Sequence, residues 1–286
     1  MSDISIPTGA MMALYNLKQI GADLVTTQNE ISTGRIVNGP KDNSAVWQQT
    51  EKMKFEHAGY DVINRQIGAV EASLSVGRGV AQNIVDVLED LKATISLTST
   101  DEGKLIAARD EAKKQIDTFT KMVSVNGQNW VSAAGNQTVT VGFETKIVDD
   151  QEVRSQLTIT IAKQNLKTSG PGALADLTNL AFTDAAAVKT STGALETMIE
   201  EVRNAASHFG ENEARLARYK ELNATISASL QKGISSLIDA NLEAASSRLQ
   251  ALQVQQQLSI QALSIANREP QNLLAYFVSR GLIEGS

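Results

Sequence analysis

The 286-residue chain contains no cysteine. That excludes disulfides, thiol nucleophiles and cysteine-bound zinc, and it leaves the redox compartment open. Histidine occurs twice, at His57 and His208, too few and too far apart in sequence for a multi-histidine metal site. Aromatic residues make up only 4% of the chain, few for a compact core of this length. No uninterrupted apolar run approaches the roughly 20 residues of a membrane span, so no membrane insertion is expected. The first basic residue is Lys18; without a basic region ahead of an apolar stretch, no cleaved signal peptide is expected. An excess of positive charge is also missing. Lys and Arg number 26 against 32 Asp and Glu, a net charge of −6, the wrong sign for a nucleic-acid or anionic-membrane binder.

The apolar residues, 42% of the chain, sit mainly in Ala, Leu, Ile and Val, a composition suited to helices packed along their length. Prolines occur only at Pro7, Pro40, Pro171 and Pro270, which leaves 41–169 and 172–269 free of the residue that breaks helix interiors. Within the first stretch, Tyr60, Ile63, Ile67, Val70, Leu74, Gly77, Ala81, Ile84, Leu88, Leu91 and Ile95 recur at alternating steps of three and four, a sustained coiled-coil seam. With Asp42 or Asn43 as its N-cap, this predicts a helix over about 43–98, some 80 Å long at 1.5 Å per residue. Gly59, Gly68, Gly77 and Gly79 each cost that helix about 1 kcal/mol, which predicts close helix packing there. Gly77-Arg78-Gly79 is too incomplete a motif for a phosphate loop.

Ser99-Thr100-Asp101-Glu102 matches a capping box and predicts a second helix over about 101–124, folded back antiparallel with Leu105, Ala108, Ala112, Ile116, Phe119 and Val123 on one face. From 126 the period changes to two. Val139, Val141 and Phe143, then Leu157, Ile159 and Ile161, alternate with threonines and predict a hairpin with a long, charged connection. A third long helix begins near 184, with a seam from Leu195 to Ala244 interrupted by Asn212, Asn223 and Gly233; buried asparagines there would fix register and partner number.

The two ends do not make sense in isolation. Residues 249–267 carry no charge, but contain six glutamines among Leu249, Leu252, Leu258, Ile260, Leu263 and Ile265. Residues 4–17 are also uncharged, and a heptad series runs through Leu14, Leu17, Leu24 and Ile31. Buried amides need partners, so both segments are expected to pack against copies of themselves. The predicted fold is mainly α: long antiparallel helical rods forming a coiled coil, paired terminal helices and a small β-hairpin insertion. The expected divisions are 1–42, the amino-terminal part of an inner helical domain with its connecting segment; 43–125, amino-terminal rods; 126–183, a short variable insertion; 184–240, a carboxyl-terminal rod; and 241–286, the carboxyl-terminal part of the inner domain.

Ile31-Ser32-Thr33-Gly34-Arg35-Ile36-Val37-Asn38 followed by Lys41-Asp42-Asn43-Ser44-Ala45 resembles the amino-terminal signature of bacterial flagellins, in its alphaproteobacterial form. The segment Glu243-Ala244-Ala245-Ser246-Ser247-Arg248-Leu249-Gln250-Ala251-Leu252-Gln253, the glutamine-rich run and Pro270-Gln271-Asn272-Leu273-Leu274 resemble the carboxyl end of the same family. Val125-Asn126-Gly127 is similar to its turn before the variable region. The sequence departs from the family in continuing past Phe277, in Arg268-Glu269 and in Pro40.

The resemblance implies a non-enzymatic, cofactor-free structural subunit of an extracellular flagellar filament used for swimming. It implies export through the flagellar type III channel, self-assembly with itself and other flagellins through Leu14, Leu17, Leu24, Ile31, Leu249, Leu252, Leu258, Leu263 and Phe277, and contacts with an export chaperone and with hook-associated and cap proteins. A hook–filament junction protein is the alternative within this class, and a soluble coiled-coil adaptor the alternative outside it; an adaptor predicts flanking charges that 249–267 lacks. Flagellins recognised by the vertebrate innate flagellin receptor carry an Arg-x-Arg-Glu-Leu element. Val87-Leu88-Glu89-Asp90-Leu91 stands in that place with neither arginine, which implies poor recognition. Thr168, Ser169, Thr183, Thr190, Ser191 and Thr192, in or beside the insertion, are candidate O-glycosylation sites. Asp86, Glu89 and Asp90 read as a solvated or intersubunit charge face.

Overall fold

A computed structural model describes residues 8–97, 101–125, 127–148, 151–169 and 172–279. The elements are α1 (Thr8–Thr33), α2 (Ser44–Leu97), α3 (Glu102–Met122), β1 (Gly135–Val148), β2 (Gln151–Lys163), a 3-10 turn (Ala175–Asn179), α4 (Ala185–Ile238) and α5 (Leu242–Ser279). The fold is mainly α with one two-stranded antiparallel sheet, in line with the heptad and period-two readings. The chain divides into two compact units, Met1–Phe55 with Leu230–Ser286, and Glu56–Ser229.

In the second unit α2 and α4 run antiparallel, in a register fixed by the ion pairs Arg78–Glu213 (3.2 Å), Lys220–Glu71 (3.2 Å) and Lys92–Glu196 (2.7 Å). The predicted seam is the core. Ile63, Ile67, Leu74, Ala81, Ile84, Leu88, Leu91 and Ile95 of α2 are buried with Leu195, Met198, Val202, Ala205, Phe209 and Leu216 of α4, and α3 adds Leu105, Ala112 and Ile116. The segment between α3 and α4 joins this core. Trp130, Leu166, Leu174, Leu177 and Phe182 lie in the same cluster, and Trp130 Nε1 donates to Ser73 Oγ of α2 at 2.8 Å. Two of the α2 glycines mark close approaches. A Cβ at Gly77 would stand 3.4 Å from Trp130 and 3.6 Å from Phe209, and one at Gly59 would stand 2.8 Å from the Phe143 ring. Gly79 has open space around it and Gly68 meets only the tip of Lys220, so packing accounts for two of the four and not for the others.

Three local expectations need correction. First, the α3 cap is Asp101, not Ser99. Its carboxylate accepts from the Lys104 backbone N–H at 3.2 Å and pairs with the Lys104 ammonium at 3.1 Å, and those bonds hold it below the usual carboxylate range. The hydroxyls of Ser99 and Thr100 lie outside the described residues. Second, the hairpin has no long connection. The ladder continues to Val148↔Gln151, because charged residues that blur the alternation find partners beside the strands: Arg154 pairs with Glu56 at 2.7 Å and lies 4.7 Å over the Phe143 ring. Leu157, expected to point inward, is 41% exposed, and sits where the register shifts between Thr140 and Gly142. Third, the buried asparagines do not pair helix with helix. Asn212 donates to the His208 carbonyl of its own helix at 2.8 Å, and Asn223 donates to the Val141 carbonyl of the hairpin at 2.9 Å.

In the first unit α1 and α5 pack on each other. Glu30 faces Arg248 at 3.9 Å, and Gly9, Met12, Ala13 and Asn16 face Ser259 and Ala262, so the pair is antiparallel. Gly34 ends α1 with φ +70°, a conformation favouring glycine, and its N–H bonds the Glu30 carbonyl at 2.8 Å. The chain then pairs with the α4–α5 junction: Ile36 N–H donates to Ile238 O at 2.7 Å and Ala240 N–H to Gly34 O at 2.9 Å. Asp42 accepts the N–H groups of Asn38 and Gly39 at 2.8 and 3.1 Å. Asn43 accepts that of Val46 at 3.1 Å and is the α2 cap. Val37, Ile234 and Ile238 form a small second core, with Met53 packed against it and against Gly233.

Candidate assembly surface

The terminal leucines fall into three groups. Leu24 and Leu252 are buried, each 8% exposed, by the partner helix of the α1/α5 pair. Leu17, Ile31, Leu249 and Leu263 are half-buried. Leu14 and Leu258 are 59% and 57% exposed. The Phe277 side chain lies outside the described residues. The pair is thus closed near the α4–α5 junction and increasingly open toward its far end. Among the described residues, burial between α1 and α5 stops at one shared stripe.

The open end carries more apolar surface than the heptad reading assigned. Met11, Met12 and Tyr15 on α1, and Val254, Ile260 and Ile265 on α5, are all more than half exposed. Between the helices runs a groove of about 470 Å³, walled by Gly9, Met12, Ala13, Asn16, Ser259 and Ala262. A seam analysis selects one face of each helix and overlooks the others. The signal that does find them is the lack of charge over 4–17 and 249–267. Among the described residues, none of Gln250, Gln253, Gln255, Gln256, Gln257 and Gln261 makes an intrachain side-chain hydrogen bond, and all but half-buried Gln256 are exposed. Exposed apolar side chains interleaved with unused amides are the kind of surface that binding partners cover.

Elsewhere the candidate residues separate. In Val87–Leu91, Leu88 and Leu91 belong to the core, Val87 is half-buried, and Glu89 and Asp90 are exposed; Glu89 pairs with Arg203 of α4. Of the candidate glycosylation residues, two are buried where exposure was expected. Thr168 is buried and donates to Asp117 Oδ1 at 2.5 Å. Ser191 is buried, donating to the Ala181 carbonyl at 2.7 Å and accepting its N–H at 3.0 Å. Ser169, Thr183 and Thr190 are exposed and Thr192 half-buried. His57 lies 3.5 Å from Asp61, and His208 is half-buried. Among the described residues no helix is long and apolar enough to cross a membrane.

Comparison with known proteins bears on the same segments. The bacterial flagellin N-terminal helical region matches residues 4–136, and the bacterial flagellin C-terminal helical region matches residues 192–277. Flagellin FljM of Caulobacter vibrioides is 29% identical over 280 residues, covering 97% of this chain and 99% of the relative. Flagellin C of Rhizobium meliloti is 27% identical over 319 residues, and a flagellin of Brucella melitensis 28% over 287, with the same coverage. Both family regions, the near-complete alignment with these relatives and the paired terminal helices point the same way: the chain belongs to the bacterial flagellin family.

Proposed function

We propose that this flagellin is a structural subunit of an extracellular flagellar filament, polymerising with itself and with other flagellins, and that the uncovered face of α1/α5 drives its assembly. The observation that carries the reading is the apolar, amide-rich surface around Leu14 and Leu258, which the chain leaves open. In this reading 1–42 and 241–286 form the inner wall, 43–125 and 184–240 the surrounding tube, and 126–183 the outer insertion. Export proceeds without a cleaved signal through the flagellar channel, with a chaperone holding the carboxyl segment and with cap and hook-associated proteins at the filament ends.

The test is polymerisation of purified protein followed by negative-stain electron microscopy. Wild type is expected to form long filaments of uniform width; short or absent filaments would favour a junction protein. Leu258→Asp places a charge on the open face and leaves intrachain packing intact, so it should abolish filaments while the monomer melts as wild type does. Leu252→Asp charges the buried stripe of the α1/α5 pair and should abolish filaments too, while the rods stay soluble and the monomer melts as wild type does, because that pair becomes ordered only on assembly.

Two further properties belong to this proposal. Without the two arginines, Val87–Leu91 lacks charge-assisted contacts that are each worth about 1.5–3 kcal/mol, and Leu88 and Leu91 are committed to the core. Reporter cells carrying the vertebrate flagellin receptor should respond far less than to an enterobacterial flagellin; an equal response contradicts the reading. Ser169, Thr183, Thr190 and Thr192 are the remaining glycosylation candidates, and an intact mass of filament-derived protein equal to the sequence mass excludes the modification.

A further inference from the structure

The unit Glu56–Ser229 carries two unmatched charge patches of opposite sign. On α4, Arg215 and Arg218 are exposed, and neither forms an ion pair among the described residues. Arg215 makes only a loose contact, 6.0 Å, with the Tyr219 ring. Their neighbours differ: Arg203 is matched by Glu89 and Lys220 by Glu71 within the chain. The two arginines line a groove of about 740 Å³ between α4 and the hairpin, together with His208, Asn212, Asn136 and Thr160; Glu211 is the one carboxylate in its wall. From His208 to Arg218 is about 15 Å along a helix. A single small anion cannot span that, whereas a row of carboxylates on another helix can.

The opposite patch lies on α2. Asp86 and Asp90 are exposed, one turn apart, and without a basic partner among the described residues. Asp90 shares a groove of about 220 Å³ with Glu111 of α3, and no basic side chain lines it. Glu111 accepts only from Gln115, at 3.3 Å. The pairs Arg78–Glu213 and Lys220–Glu71 set Arg215 and Arg218 beside residues near 75 of α2. The acidic patch is therefore displaced by roughly 20 Å along the axis, and the two cannot meet in one chain.

We propose that they meet between copies: Arg215 and Arg218 of one subunit pair with Asp86 and Asp90 of the next, a head-to-tail contact that the filament repeats. The spacings agree, since i,i+3 and i,i+4 positions stand about 4.5 and 6 Å apart along a helix axis. Guanidinium groups also suit carboxylates presented in a row. The contact is heterologous, joining two different patches, which is the kind that propagates into a helical polymer instead of closing a dimer. This inference rests on the filament reading above.

The test is charge exchange in the full-length protein. At about 50 mM salt, where screening is weak, Arg215→Glu with Arg218→Glu should raise the concentration needed for polymerisation at least about tenfold, equivalent to about 1.4 kcal/mol. Asp86→Lys with Asp90→Lys should do the same. Combining all four substitutions restores attraction and should return it to within about threefold of wild type, about 0.65 kcal/mol. Circular dichroism and melting of each monomer separate assembly from folding, and the milder Arg215→Gln with Arg218→Gln replaces any reversal that misfolds. Reversed variants that polymerise at the wild-type concentration overturn the pairing. So does a folded fourfold variant no better than the doubles. Wild-type protein that forms no filament overturns the filament reading itself, and the pairing with it.

Discussion

At the scale of single residues, Asn223 shows how one polar side chain can be buried in a helical seam without joining helix to helix. It lies at a core position of α4 and is 3% exposed. Its amide reaches the carbonyl of Val141, the residue at which the hairpin register shifts. A register shift leaves a strand carbonyl in need of a partner, and α4 supplies one. Asn212 resembles it in sequence but spends its amide on its own helix. The two should respond differently. Asn223→Leu leaves a buried carbonyl unsatisfied and should cost about 1–3 kcal/mol; Asn212→Leu removes a bond internal to the helix, and should cost no more than about 1 kcal/mol. Urea unfolding of the two monomers checks this, with a shifted midpoint and an unchanged slope for Asn223→Leu. Equal midpoints would show that the Val141 carbonyl is served in some other way.

At the scale of elements, what was legible was what repeats. The α2 seam could be read because each apolar position recurs within a turn or two, so one misleading residue does not hide it. Long helices also have room to display their period. Local termini carry a single residue's worth of signal: the capping-box pattern at Ser99 and the real cap at Asp101 differ by two positions and both use good capping residues. The hairpin's extent was hidden for a different reason. Glu144, Lys146 and Arg154 look like loop residues when only alternation is counted, yet Arg154 is held by Glu56 and Phe143 on the strand's flank. The Glu56 support is tertiary, from a residue about 100 positions away in sequence, and no local pattern reports it. The α2 glycines divide in the same way. Gly77 and Gly59 are explained by Trp130, Phe209 and Phe143, partners that only the folded chain reveals. The proposed assembly surface was half legible. Lack of charge marked both segments, but which leucines close the α1/α5 pair and which remain open depends on where the two helices meet.

At the scale of the whole molecule, the two units differ in how much of their surface the chain itself covers. In Glu56–Ser229, the core joins α2, α3, α4 and the segment between them, and many large side chains are fully buried. Among the described residues of the α1/α5 pair, the buried ones are few: Leu24, Thr27, Ala245 and Leu252. Holding a residue in one backbone conformation costs about 1–2 kcal/mol, and a helix in a protein draws most of its stability from tertiary packing of its apolar face. One shared stripe cannot offset tens of residues of ordering, so the pair should be helical mainly when other subunits cover Met11, Leu14, Tyr15, Leu258 and Ile265. The same balance would keep a monomer threadable during export and unable to polymerise before its neighbours are in place. Amide hydrogen exchange on monomer and filament measures it directly. In the monomer, residues 14–31 and 249–265 should exchange at least about a thousandfold faster than 63–95, an opening free energy lower by about 4 kcal/mol. In the filament their protection should rise to that of the α2 seam. Equal protection of all three segments in the monomer would mean that α1 and α5 form a stable pair unaided, and assembly would then be docking of finished parts instead of folding on contact.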